Sequence, residues 1–242
     1  MKFLITLGNK EHAEPTLQVG MQVARAFKAS VTILYVGPKI SAFSTNQVQL
    51  AHENLDRWEL EHPGVEVLEW AFNFLAENEY ITPQTIKAGF QKNTLVKMNT
   101  DRCELFLQDT VCENVNLILR NGNIIPELRD EVAKGVYDVT IIGGSQKRRM
   151  IHDLVQYIDS SIFVVKEYNP RIKYRLLMAT DDSIGTKKAV VFGGRVSKAF
   201  GMPVNVLTVS KKKYIGDGYR GASERATKFF KRSRIDVDTF FK

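Results

Sequence analysis

The chain has 242 residues, enough for one large domain or for one domain and part of another. Hydrophobic residues make up 44% and charged residues 25%, which excludes the profile of a disordered chain. The net charge of +7 is unevenly placed: after Pro170 there are 17 Lys/Arg against 6 Asp/Glu, and before it 17 against 21, so the basic character belongs to the C-terminal third.

No stretch approaches the roughly 18 apolar residues of a membrane span, and the run from Phe3 to Leu7 is too short for a signal-peptide core. The sequence therefore reads as cytoplasmic, with no membrane partner. Cys103 and Cys112 have no companion Cys or His at zinc-ligand spacing and read as reduced structural thiols.

Lys2 to Leu7 reads as a buried strand, and Pro15 to Lys28 carries Leu17, Val19, Met21, Val23, Ala24 and Phe27 at mostly helical spacing. Val31 to Val36 is nearly uninterrupted, β-branched and closed by Gly37-Pro38, as a parallel strand covered on both faces would be. The three make a right-handed βαβ unit. Helices are expected from Gln47 to about Glu61 and from Val65 to about Asn78, separated by His62-Pro63-Gly64.

Thr94 to Met98, Glu104 to Leu107 and Val115 to Arg120 alternate as an antiparallel ribbon leading into the sheet. A helix from Ile125 to Lys134 follows, with Pro126 in its first turn. Tyr137 to Gly143 is the next buried strand, Ile151 to Tyr157 a helix and Ile162 to Val165 a last strand.

At Pro170 the pattern restarts. Arg175 to Thr180 (strand), Thr186 to Phe200 (helix) and Val204 to Val209 (strand) repeat the order of residues 3–36, with Val31-Thr-Ile-Leu-Tyr-Val answered by Val204-Asn-Val-Leu-Thr-Val. Tyr219 to about Ser233 and Ile235 to Phe240 supply a second helix and a third strand, after which a closing half is expected to be lacking. The expected division is 1–168, with an insertion at about 66–112, and 171–242.

The opening Phe3-Leu-Ile-Thr-Leu-Gly-Asn-Lys-Glu-His resembles that of the universal stress protein family, with Gly8 and Asn9 where the family has Asp-Gly. Leu176-Leu-Met-Ala-Thr-Asp-Asp-Ser keeps the acidic residue as Asp181 and the small hydroxyl as Ser183. Val139-Thr-Ile-Ile-Gly-Gly-Ser is similar to the family's fourth strand, and Ser161-Ile-Phe-Val-Val-Lys to its fifth. The resemblance implies a five-stranded parallel α/β sheet with flanking helices, Rossmann-like, here with an inserted helix and β-ribbon and a partial second repeat.

It also implies a nucleotide site where the fourth strand ends, built from a Gly-x-x-Gly loop, nine residues and a Gly-Ser or Gly-Thr pair. Here only Ser-Gln-Lys-Arg-Arg-Met separates Gly144 from Ile151. The loop is shortened, and Arg148 and Arg149 stand where small residues would let the backbone approach a phosphate. Gly143, Gly144, Ser145, Lys147, Arg148 and Arg149 could still grip a phosphate or other anion; the blander reading is a tight turn with solvated basic residues. Asp181 takes the family's place at the nucleoside end of the pocket, while Asp182 and Ser183 equally suit a helix cap.

His12, His52, His62 and His152 sit beside no nucleophile or zinc motif, and Trp58 and Trp70 fall in helical apolar stripes, where core packing outweighs base stacking. The resemblance implies a non-enzymatic stress-response or signalling module, and the degenerate loop favours action through a protein partner. The alternative is an ATP- or AMP-binding protein with slow hydrolysis. The family's habit implies a homodimer. Lys211-Lys212-Lys213 and the basic residues after them carry no nucleic-acid-reading motif, which leaves nucleic acid the less favoured partner.

Overall fold

The computed structural model describes residues 1–8, 10–39, 64–90, 96–99, 102–107, 110, 112–144, 148–210 and 214–242. The expected helix from Gln47 to Glu61 lies outside them, as do Asn9, Ser145, Lys211 to Lys213, Trp58, His52 and His62. The chain divides into two units, Met1–Tyr168 and Asn169–Lys242.

In the first unit, strand β1 (Lys2–Leu7) buries Phe3, Leu4, Ile5 and Leu7 and is flanked on both sides by parallel partners. Helix α1 (Lys10–Phe27) crosses to strand β2 (Ser30–Gly37), and the Phe27 ring meets Phe3 at 5.5 Å. The helix begins five residues before Pro15, not at it. Ala13, Leu17, Met21 and Ala24 are all fully buried, so the packed stripe runs through the proline and outweighs the lost amide donor.

Helices α2 (Val65–Glu77) and α3 (Pro83–Ala88) follow, then strands β3 (Val96–Asn99), β4 (Arg102–Leu107) and β5 (Val115–Asn121). β5 is parallel to β2, whereas β4 and β3 extend the sheet antiparallel beyond it. The ribbon thus enlarges the five parallel strands to seven. Helix α4 (Ile124–Gly135), strand β6 (Val139–Gly143), helix α5 (Arg148–Tyr157) and strand β7 (Ser161–Val165) close the unit, in the order β3-β4-β5-β2-β1-β6-β7. α5 starts three residues earlier than its apolar pattern indicates; arginine is a good helix former and needs no apolar partner to extend a first turn. Trp70 is half-buried against Phe74, their ring centres 6.0 Å apart.

One buried cluster ties the ribbon to the core. Glu131 of α4 accepts from Arg102 Nε at 3.2 Å and from the Tyr137 hydroxyl at 3.1 Å, and faces Arg120 Nε at 3.7 Å. Arg102 also donates to Glu104 at 2.7 Å, and Arg120 to the Glu127 carbonyl at 2.7 Å. Burial works against the Arg102 charge, but Glu131 and Glu104 outweigh it and raise its pKa.

In the second unit, strand β8 (Leu176–Ala179), helix α6 (Ile184–Phe200), strand β9 (Val204–Thr208), helix α7 (Asp217–Arg232) and strand β10 (Val237–Phe241) form a parallel sheet in the order β10-β9-β8. Two right-handed crossovers in the same direction put both helices on one face. There Val190, Ala226 and Phe230 pack with Met178, Val204 and Val206. Gly194 lets the helices close up, since a Cβ there would lie 2.7 Å from the Phe229 ring.

Candidate functional site

The strand order of the first unit reverses between β1 and β6, and in open α/β sheets ligands bind outside the carboxyl ends of the strands at such a point. Gly8 ends β1, and Gly143 and Gly144 end β6. Gly143 pairs with Val165 in the ladder, and the Gly144 amide donates to the Val165 carbonyl at 2.6 Å. A Cβ on Gly144 would sit 3.2 Å from that carbonyl and 3.1 Å from Lys166 Cβ, so glycine serves the close approach of β7. The Gly144 N–H is thus spent on the sheet.

Only Ser145 to Lys147 separate Gly144 from α5, and Arg148 and Arg149 belong to the helix's first turn rather than to the loop before it. Ser145 lies outside the described residues.

In the second unit, an open cleft of about 340 Å³ lies at the carboxyl ends of β8 and β9, lined by Thr180, Asp181, Ser183, Thr186, Leu207 and Val209 among others. Ser183 caps α6: its Oγ accepts from the Thr186 amide at 3.3 Å. Asp181 Oδ1 takes the Ser183 amide at 3.0 Å and the hydroxyls of Ser183 and Thr186. The Thr186 hydroxyl in turn accepts from the Asp181 amide at 3.2 Å. The pair of candidates is brought together, with Thr186 added, as a cap that closes on itself. Sequence reading missed Thr186, although an Asp-x-Ser-x-x-Thr spacing at a helix start was the available signal.

The Ser183 hydroxyl, then the Thr186 hydroxyl, hold the Asp181 carboxyl down to about 2 from 3.8. Because the folded value is the lower one, the ionised cap stabilises α6 above about pH 4, and that support is lost as pH falls through about 2. A carboxyl-carbon NMR titration is expected to place Asp181 near 2 and to move it back towards 3.8 in Ser183→Ala; a wild-type midpoint near 3.8 contradicts the ring of bonds.

Other chemistry is sparse. Burial pushes the Cys112 thiol up to about 11, which makes it an unreactive packing group. His152 is exposed, with Asp153 beside it at 3.9 Å. Among the described residues no cluster of His, Cys, Asp and Glu is placed to hold a metal, and no helix is long and apolar enough to cross a membrane.

A doubly wound α/β sheet with a glycine pair at the crossover and a second, smaller βαβαβ unit defines a Rossmann-like class. Within that class the chain has the fold of the universal stress proteins. The universal stress protein from Archaeoglobus fulgidus DSM 4304 matches 99% of this chain and 76% of its own, with a TM-score of 0.51 at 14% identity. A hypothetical protein whose biochemical function was assigned from its structure matches 69% of this chain and 96% of its own, at 18% identity and a TM-score of 0.37. No protein-family model and no curated protein matches the sequence.

Proposed function

We propose that the chain is a universal stress protein-like, non-enzymatic module that acts in stress response or signalling by binding a protein partner, with a degenerate nucleotide site in its first unit. The observation that carries this reading is the Gly144 amide. It is bonded to Val165, and only three residues follow before α5, which leaves too little free backbone to cradle a triphosphate. A ligand that binds only the folded state raises the melting temperature by mass action. About 1 mM ATP with magnesium is therefore expected to shift the melting midpoint by less than about 1 °C, since a dissociation constant above 1 mM adds less than about 0.4 kcal/mol. A shift of several degrees that Gly144→Val abolishes overturns the proposal.

The second reading, an ATP- or AMP-binding protein with slow hydrolysis, draws on the cleft beside Asp181. A nucleotide-dependent shift that survives Gly144→Val but is lost in Asp181→Ala supports it.

The proposal extends to a homodimer. β8 pairs only with β9 among the described residues, and Leu177 on it is 61% exposed. An apolar parallel strand with one open edge is a template for a further strand, and two copies can satisfy it about a two-fold axis. Light scattering on the eluting chain is expected to give twice the mass of one chain, reduced to one by Leu177→Pro; a monomer at all concentrations refutes the pairing.

A further inference from the structure

Helices α6 and α7 are separate segments of sequence, but the fold lays them side by side on one face of the second sheet. Together they carry nine basic residues and two acidic ones, Asp217 and Glu224. Lys187, Lys188 and Lys198 on α6, and Lys228, Lys231 and Arg232 on α7, are exposed. None of the six makes an ion pair among the described residues, whereas Arg225 is neutralised by Asp182 at 3.7 Å.

Helix stability explains only part of this. Lys198, Lys231 and Arg232 lie in last turns, where the helix dipole favours cations. Lys187 and Lys188, the fourth and fifth residues of α6, gain nothing from the dipole. The dipole thus accounts for three of the six charges; the other three, Lys187, Lys188 and Lys228, are exposed and without an ion pair among the described residues.

We propose that this two-helix face binds the phosphate backbone of double-stranded nucleic acid without reading its sequence. On α7 Lys228, Lys231 and Arg232 recur at three or four residues and so stand about 5–6 Å apart, and helices of 17 and 16 residues span about 24–26 Å at 1.5 Å per residue. That is the length of about seven base-pair steps of 3.4 Å. An anionic bilayer fits less well, because interfacial helices bury an apolar face among the lipids. Here the apolar faces are already used: Val190, Val196, Ala226 and Phe230 are buried, and Val191 is the large apolar residue exposed between the stripes. Ile184, Tyr214 and Tyr219 are exposed at the helix starts instead.

Fluorescence anisotropy of a labelled duplex of about 20 base pairs and arbitrary sequence, titrated with the full chain at about 50 mM salt, tests this. A dissociation constant in the micromolar range is expected, weakening linearly in log–log salt. Lys228→Gln, Lys231→Gln and Arg232→Gln combined are expected to weaken binding at least about tenfold and to flatten the salt slope by about 2–3. Arg129→Gln with Lys134→Gln in the first unit should leave it within about twofold, and circular dichroism checks that both variants fold. No binding at this salt, equal binding by the triple variant, or retention on phosphatidylserine vesicles without duplex binding overturns the proposal.

Discussion

Replacing Glu131 by Ala is expected to cost about 3–5 kcal/mol of unfolding free energy, read from the urea midpoint of the first unit at constant slope. The size follows from what is left behind, not from what is removed. Glu131 is 3% exposed and stands against Arg102, Arg120 and the Tyr137 hydroxyl. Among the described residues Arg120 Nε has no hydrogen-bond partner and relies on the 3.7 Å ion pair with this carboxylate. Without it, a guanidinium 6% exposed is opposed mainly by Glu127 at 3.3 Å. Removing one partner of a buried pair is costly because the other stays buried, whereas replacing the whole set by apolar groups is often neutral. Glu131→Leu combined with Arg120→Met and Arg102→Met is accordingly expected to recover a large share of the loss. A single-variant loss below about 1 kcal/mol shows that the cluster is solvated and does not clamp the ribbon.

This cluster also marks the limit of what the sequence reveals. Arg102, Glu104, Arg120, Glu127 and Glu131 lie on two strands and a helix, and no spacing rule connects them, so nothing in the sequence marks them as a cluster. The apolar segments were legible because burial on both faces leaves an uninterrupted run, as in Ile33-Leu-Tyr-Val and Val139-Thr-Ile-Ile. Helix starts were less so. Pro15 and Arg148 were misplaced because a packed stripe, or a favourable intrinsic propensity, extends a helix past the residue that local rules take as its boundary. At the site, the short loop after Gly144 was visible by counting residues, but that its amide is bonded to Val165 depends on a residue 21 positions further on. The same holds for the basic face. Charges on α6 and α7 become one surface only because both crossovers are right-handed.

In the second unit a loss of similar size takes a larger fraction of the stability. Phe230 is fully buried at the centre of a cluster that contains Met178, Val190, Val204, Val206, Ala226 and Ile235, all from residues after Asn169. Phe230→Ala removes most of a ring from that core and leaves a cavity, at a typical cost of about 3–5 kcal/mol. A unit of this size has a total stability of roughly 4–11 kcal/mol at 0.05–0.15 kcal/mol per residue, so the substitution takes a large fraction of it. Neighbours cannot close the gap cheaply. The Phe229 ring meets Phe230 edge-on at 5.5 Å and is itself held against Gly194, and the sheet beneath is fixed by ladder hydrogen bonds from Val204 to Thr208. Hydrogen exchange resolves the outcome segment by segment. In Phe230→Ala, amides of β8, β9, β10 and both helices are expected to exchange at least about a hundredfold faster. Those of β1, β2, β5 and β6, which belong to a core of Leu4, Leu34, Ile118 and Ile142, should keep their protection. Equal acceleration in both sets would show that the two cores unfold as one; no acceleration in either would show that Phe230 is not the centre of its cluster.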